Sequence, residues 1–321
     1  MKAIVYDNYG SPEVMRLADV DKPVPQEDEV LVEVYAASIN YVDWQLLKGE
    51  SFLLRVLNGL TKPRKHILGD DIAGKVEAAG ENVSRFNPGD EVFGISDFGA
   101  FAEYACADQK YLMKKPGNIS FEQAAAFPYA AVTALLSIRN QGQVQPGDKV
   151  LINGASGGVG VYAVQLAKSF GAEVTGVCST SKLDFVLSVG ADHVIDYTKD
   201  DFTTQNQRFD LVVAVAGNRS IFDYKRALKP GGKYICVGGS MKQYFQAMLL
   251  GPILSVGSDI SMGSSGWVKP EREDFDFLLQ LIETGRLLPV VDRTFPLNKA
   301  PEALRYYGEG KAHGKVVITQ K

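Results

Sequence analysis

Residues 29–39, EVLVEVYAASI, place apolar side chains at near-alternate positions, the period of a strand with one buried face, and residues 72–78 repeat the pattern. Residues 91–93 and 101–107 predict two shorter strands, with Gly and Pro punctuating the intervals at Gly10, Pro23, Pro25, Gly69 and Gly99. Asn87-Pro88-Gly89-Asp90 reads as a turn, because Pro fixes φ and Gly accepts positive φ. The texture changes near Ser120. Residues 121–126 predict a helix, which Pro128 bends or restarts. From Lys149 to about Ser240, strands at 150–152, 173–177, 193–195, 211–215 and 233–237 interleave with helices at 158–169, 182–189 and 221–228. These strands lack strict alternation, as expected where helices cover both faces of a parallel sheet. Beyond Leu254 another strand candidate precedes a helix over 271–284, and the tail returns to strand, helix, strand over 290–295, 300–306 and 315–319. The β-rich N-terminal domain is therefore predicted to be completed by C-terminal chain, with an α/β domain inserted.

Composition narrows the function classes. The 321 residues suit two domains, and 45% apolar against 22% charged residues is an ordinary globular balance. A net charge of -4 argues against a nucleic-acid or anionic-membrane binder. Cys106, Cys178 and Cys236 are odd in number and far apart, which fits a reducing cytosol and predicts a cytoplasmic location. The longest apolar stretch, 245–256, is short and broken by Gly251 and Pro252, so no membrane span is expected. The start lacks the apolar core of a signal peptide and runs straight into a strand pattern.

The most informative stretch is 149–168, KVLINGASGGVGVYAVQLAK, where a buried strand enters a glycine-rich turn that opens a helix. Ala155-x-Gly157-x-x-Gly160 follows the dinucleotide fingerprint with Ala in the first glycine place. Gly157 would let backbone approach a pyrophosphate, Gly160 would let helix and strand pack closely, and the helix N-terminus would supply N–H groups for the phosphates. An NAD site places Asp or Glu about 20 residues after the loop. That place falls at Val177-Cys178, followed by Ser179-Thr180-Ser181-Lys182. Hydroxyls and an ammonium suit a 2′-phosphate, so NADPH is expected over NADH.

With these motifs in view, the chain resembles the medium-chain dehydrogenase/reductase superfamily, in its zinc-free quinone oxidoreductase (zeta-crystallin-like) branch. The similarity is carried by Gly147-Asp148-x-x-Leu151-x-x-x-Ala155-Ser156-Gly157-Gly158-x-Gly160-x-x-x-x-Gln165-x-x-Lys168, by Leu68-Gly69-x-Asp71-x-Ala73-Gly74-x-Val76, by Leu228-Lys229-Pro230-Gly231-Gly232 and by Gly314-Lys315-Val316-Val317. It implies a doubly wound parallel Rossmann sheet over 122–270, inserted in a β-rich GroES-like catalytic domain formed by 1–121 and 271–321. It also implies a cofactor in the cleft and a homodimer. Carried over by position, Thr133, Val237, Gly238 and Gly239 lie by the nicotinamide, Ser156, Gly157, Gly158 and Val159 cradle the pyrophosphate, and Lys182 and Tyr197, joined by Ser179, hold the adenosine phosphate. Lys315 matches a basic residue near the cofactor, and Asn40 one beside nicotinamide and acceptor. Tyr41 offers a phenol and a stacking face, Lys48 a proton by analogy with enone reductases, and Tyr129 a further lining residue.

Zinc members of the superfamily need a Cys, a His and an acidic or Cys ligand. Here Asn40-Tyr41-Val42 offers no Cys, the Gly-His-Glu stretch reads Gly69-Asp70-Asp71, and His66, His193 and His313 are scattered, so no metal is expected. Asp71 is expected to brace its loop through hydrogen bonds. Without a Lewis acid, the expected acceptors are quinones or α,β-unsaturated carbonyls, which spread incoming negative charge onto an oxygen that neutral donors can stabilise. The alternatives are a zinc-dependent alcohol or carbonyl oxidoreductase and a non-catalytic NADPH-binding protein. Residues 51–66, SFLLRVLNGLTKPRKH, mix apolar and basic side chains and read as a lid, an interfacial membrane contact or a solvated loop with a short helix.

Overall fold

The computed structural model describes residues 1–204, 207–217, 219–266 and 270–320. It divides into two compact units, one of residues 1–130, 275–283 and 289–321, the other of residues 131–274 and 284–288. The chain opens with the antiparallel pair β1 (Lys2–Tyr6) and β2 (Met15–Asp19). There follow β3 (Glu29–Ser38), α1 (Tyr41–Lys48), α2 (Phe52–Asn58), β4 (Asp71–Ala79), β5 (Glu91–Ile95), β6 (Tyr104–Asp108), β7 (Leu112–Lys114), α3 (Phe121–Ala125) and α4 (Pro128–Leu135). The middle of the chain holds β8 (Lys149–Asn153), α5 (Gly158–Ser169), β9 (Glu173–Cys178), α6 (Leu183–Val189), β10 (His193–Asp196), β11 (Phe209–Ala214), α7 (Ile221–Arg226), β12 (Leu228–Cys236), α8 (Met241–Ser255) and β13 (Ser261–Ser264). It ends in α9 (Arg272–Glu283), β14 (Val291–Pro296), α10 (Ala300–Gly308) and β15 (Lys315–Thr319).

In the first unit a seven-stranded sheet runs β14-β15-β3-β4-β5-β7, with β6 also paired to β3. The register of β3 decides what meets at its end. Ser38 stands opposite Asp71 of β4 and opposite Val317 of β15. Lys315 lies two residues before Val317, on the same face of β15, so the pleat brings it to the Ser38–Asp71 corner. The sheet closes over a core that includes Ile4, Val32, Leu47, Phe101, Leu304 and Val316.

The second unit is an all-parallel, six-stranded sheet ordered β10-β9-β8-β11-β12-β13. Numbered within the unit this is the 3-2-1-4-5-6 order of a doubly wound fold, as the sequence rhythm and the resemblance imply, and its switch point falls between β8 and β11. Val150, Leu151 and Ile152 are all buried, which accounts for the missing alternation. Past β12 the sequence leaves a helix unassigned and places a strand beyond Leu254. Residues 245–256 fall almost wholly within the long helix α8, which continues through Pro252, and the strand expected after Leu254 is β13, beginning at Ser261. Among the described residues no helix is long and apolar enough to cross a membrane.

Candidate functional site

The glycine loop leaves β8 at the switch point, and its backbone is tied to both neighbouring strands. The amides of Gly154 and Ala155 donate to the Val177 carbonyl, and those of Val215 and Ala216 donate to Asn153 O. Gly157 is the N-cap of α5, offers no capping side chain, and no acidic residue follows in the first turn. The first amides of the helix therefore keep their donors for an outside acceptor. A Cβ at Gly157 would meet nothing nearer than Gly154 O at 3.6 Å, whereas one at Gly160 would stand 2.1 Å from that oxygen and 2.9 Å from Ala155. Gly160 thus serves helix–strand contact and Gly157 leaves open space, a donor set and a clearance that fit a pyrophosphate. Gly160→Ala is expected to lower the unfolding free energy by about 1–3 kcal/mol, the cost of overpacking against unyielding backbone. Urea unfolding tests this, and an unshifted midpoint would contradict the packing described.

Val237 and Gly238 continue from β12, both donating to Ala214 O. Gly239 has φ +105, and a Cβ there would stand 2.3 Å from Gly217 O, so only glycine fits. Thr133 is half-buried on α4, and its carbonyl accepts from Ser137 Oγ. At the other end of the loop edge, β9 and β10 finish side by side. The Tyr197 amide donates to Cys178 O, and the Lys182 amide to Ser179 O. Ser179, Lys182 and Tyr197 therefore share one edge, with Tyr197 exposed. Asp196, which the sequence reading passed over, ends β10 there. Its carboxylate accepts from the Thr180 hydroxyl and from both the hydroxyl and amide of Thr198, and these bonds, the Thr180 hydroxyl foremost, hold it down at about 2.

The first unit holds a buried polar cluster at the β3–β4–β15 corner. Asp71 Oδ2 accepts from Ser38 Oγ at 2.8 Å, Asn40 Nδ2 at 2.9 Å and Lys315 Nζ at 3.1 Å, while Oδ1 accepts from the Tyr129 amide at 2.7 Å. Lys315 Nζ also donates to Asn40 Oδ1. An ammonium only donates and a carboxylate only accepts, so the Asn40 amide has one permitted orientation. Ser38, Asn40, Asp71 and Lys315 are all buried. Asp71 does brace this corner, but its partners are spread over three chain segments rather than one loop.

Asn40 also caps α1, and its amide bonds to Asp43 Oδ2 while the Gly69 amide bonds to Asp43 Oδ1. Burial pushes the Asp43 carboxyl up to about 7 against those two bonds and the Lys315 ammonium. Asp70 is pushed well above the ordinary carboxylate range, by burial first and then by Asp43 and Asp71. The native state keeps a proton on Asp43 that the unfolded chain releases, so stability falls as pH rises toward 7. The slope reaches up to about 1.4 kcal/mol per pH unit for one group. Urea unfolding between about pH 5 and 7 should show this decline, and Asp43→Asn should flatten it, leaving the part due to Asp70. A flat wild-type profile would rule the buried proton out.

The remaining candidates on α1 are not drawn into the cluster. Tyr41 is 43% exposed, its hydroxyl accepting from Gln45 Nε2 at 2.6 Å, and the partial burial of the phenol raises its pKa. Lys48 lies near the far end of α1, about 10 Å along the axis from Tyr41, with Nζ 3.4 Å from Glu50 and 5.7 Å from the Trp44 ring. Among the described residues no three His, Cys, Asp or Glu side chains are grouped so as to hold a metal ion.

Two family models match the chain. Residues 26–117 match the family described as alcohol dehydrogenase GroES-like domain, and residues 189–318 the family described as zinc-binding dehydrogenase. The chain is 33% identical to the chloroplastic quinone-oxidoreductase homolog of Spinacia oleracea, covering 99% of this chain and 98% of that protein. It is 33% identical to the chloroplastic NADPH-dependent alkenal/one oxidoreductase of Arabidopsis thaliana, covering 99% and 79%. The solved structure of the quinone oxidoreductase from Coxiella burnetii superposes with a TM-score of 0.88 at 31% identity, covering 100% and 99%. A doubly wound sheet, a glycine loop at its switch point and a likeness that runs from end to end lead to one assignment: the chain belongs to the medium-chain dehydrogenase/reductase superfamily, in its quinone oxidoreductase branch.

Proposed function

We propose that this oxidoreductase uses NADPH to reduce quinones or α,β-unsaturated carbonyls, without zinc and as a homodimer. The observation that carries the cofactor choice is the paired edge of β9 and β10. Lys182, Ser179 and Tyr197 gather cationic and hydroxyl donors there, while the carboxylate at that edge, Asp196, has its oxygens committed to Thr180 and Thr198. A 2′-phosphate gains charge-assisted bonds from such donors, whereas the ribose hydroxyls of NADH would find no uncommitted carboxylate at Asp196. The backbone of Ser156, Gly157, Gly158 and Val159 would hold the pyrophosphate, and Thr133 with Val237, Gly238 and Gly239 would flank the nicotinamide. When bound, the reduced nicotinamide supplies the hydride equivalent.

The chain's own residues then set the acceptor. Asn40 has one amide N–H engaged by Asp71 and its oxygen held by Lys315, which leaves the second N–H to donate to the acceptor oxygen as charge builds there. Tyr41, a phenol that is protonated at neutral pH, is the second donor, and Lys48, at the far end of α1, would supply a proton through solvent. Zinc does not fit this corner. The Asn40 and Asp71 oxygens already face the Lys315 ammonium, and a dication beside them would be repelled. The names of the spinach and Arabidopsis relatives, a quinone oxidoreductase homolog and an NADPH-dependent alkenal/one oxidoreductase, support the same acceptor classes.

The test is a spectrophotometric panel of NADPH and NADH against 1,4-quinones, 2-alkenals, vinyl ketones and saturated aldehydes. NADPH consumption with a quinone or a conjugated carbonyl is expected. Faster turnover with NADH overturns the cofactor, turnover of saturated aldehydes alone overturns the acceptor class, and binding without turnover favours a non-catalytic NADPH-binding protein.

A further inference from the structure

Residues 51–66 are anchored through buried and half-buried polar contacts. Asn58 is buried, its Nδ2 donating to Tyr6 OH at 3.3 Å and its Oδ1 accepting from the Lys65 amide at 3.1 Å. Arg55 donates Nε to Gly49 O and lays its guanidinium 4.8 Å from the Tyr9 ring centroid, while Tyr9 OH donates to Gly59 O. These bonds clamp the segment to its own unit, where Leu54 packs against the core, and leave four large apolar side chains outside. Phe52 is 75% exposed, Val56 46%, Leu57 57% and Leu60 57%. Scattered exposed apolar residues are normal, but four large ones within nine positions form a patch that water alone does not favour. Beside them Lys62 and Arg64 are exposed, and no Asp or Glu occurs from Ser51 to Gly69, in a chain whose net charge is -4.

We propose that this segment docks the protein on an anionic lipid bilayer, with Phe52, Val56, Leu57 and Leu60 entering the acyl boundary and Lys62 and Arg64 meeting the headgroups. An apolar tip bordered by cations is the make-up of interfacial segments, whose binding joins buried apolar area to attraction by acidic lipid. Each basic residue near such a surface raises the partition coefficient about fivefold. A second copy presenting the same face would bring like charges together, so self-association through this patch is disfavoured. The surface follows directly on α1, so docking would present the acceptor-binding segment to apolar molecules dissolved in the membrane.

The full-length protein is sedimented with phosphatidylcholine vesicles, with and without about a third phosphatidylglycerol, at low salt and at about 1 M salt, where the screening length shrinks to about 3 Å. At least tenfold stronger binding to the acidic vesicles, weakened by salt, is expected. Phe52→Ser with Leu60→Ser, and separately Lys62→Glu with Arg64→Glu, should each reduce it at least tenfold with unchanged melting temperatures. No binding to either vesicle, or binding indifferent to both pairs of substitutions, overturns the proposal. So does light scattering that shows the same substitutions splitting an oligomer, which would assign the patch to a contact between copies. None of these readouts depends on the cofactor or the acceptor.

Discussion

Lys315→Met lowers the unfolding free energy by about 3–5 kcal/mol, the usual cost of removing one partner from a buried ion pair. The ammonium lies 3.1 Å from Asp71 Oδ2, and both residues are buried. Its loss strands a carboxylate that three neutral donors, Ser38, Asn40 and the Tyr129 amide, compensate only in part, which places the effect toward the lower end of that range. The double variant Lys315→Met with Asp71→Leu removes both charges and should recover a large share of the loss, because a buried pair replaced by apolar groups is often close to neutral. Urea unfolding of the two variants supplies the comparison. A loss below about 1 kcal/mol in the single variant would mean the pair is solvated rather than buried. A second readout separates positioning from stability. The Asn40 amide is anchored by Lys315 on its oxygen, so Lys315→Met should reduce kcat more than cofactor affinity, provided Asn40 donates to the acceptor.

The pair also shows where sequence reading stops. Lys315 and Asp71 are 244 residues apart, and no period or motif connects them. The resemblance assigns Lys315 to the cofactor, and the structure gives it a structural duty whichever ligand is present. Only the antiparallel register of β15 on β3, and of β3 on β4, brings the two side chains together. The glycine loop is legible for the opposite reason. Its chemistry is local, with strand, turn and helix start falling within twenty consecutive residues, and the switch point follows once the α/β rhythm is counted. Helix α8 is not legible in the sequence, because Gly251 and Pro252 are breakers by intrinsic propensity. Gly251 is retained because a Cβ there would stand 2.5 Å from Met262 O, so tertiary contact with β13 overrides propensity. Helix α1 spans eight residues, too few for a clear apolar period, although Asn40 followed by Asp43 is a recognisable start. Asp196 had a signal too, an acidic residue at a strand end just before Tyr197. Its hydroxyl partner Thr180 comes from the neighbouring strand end, which a linear reading does not align.

Lys182→Ala should raise the KM for NADPH by about ten- to a hundredfold, the loss of one or two hydrogen bonds to a charged group at about 1.5–3 kcal/mol. The KM for NADH should change less than about threefold, because in the proposed binding mode the ammonium is directed at a 2′-phosphate, which NADH lacks. The asymmetry is the informative quantity. A lysine that merely stabilises the start of α6 would, when removed, weaken both cofactors alike or neither. Lys182→Arg keeps the charge and should retain much of the preference, though not all, since a planar fork replaces a compact ammonium. Ionic strength gives an independent check on the wild-type protein, because the edge is partly exposed. The NADPH advantage should shrink as salt rises from about 0.05 to 0.5 M while NADH kinetics stay nearly level. If Asp196 were instead the selector, breaking its hold by Thr180→Val with Thr198→Val would release the carboxylate and move preference toward NADH. With Lys182 as the selector, that double variant keeps NADPH first, and the ratio of kcat/KM for the two cofactors in these variants decides between the two residues.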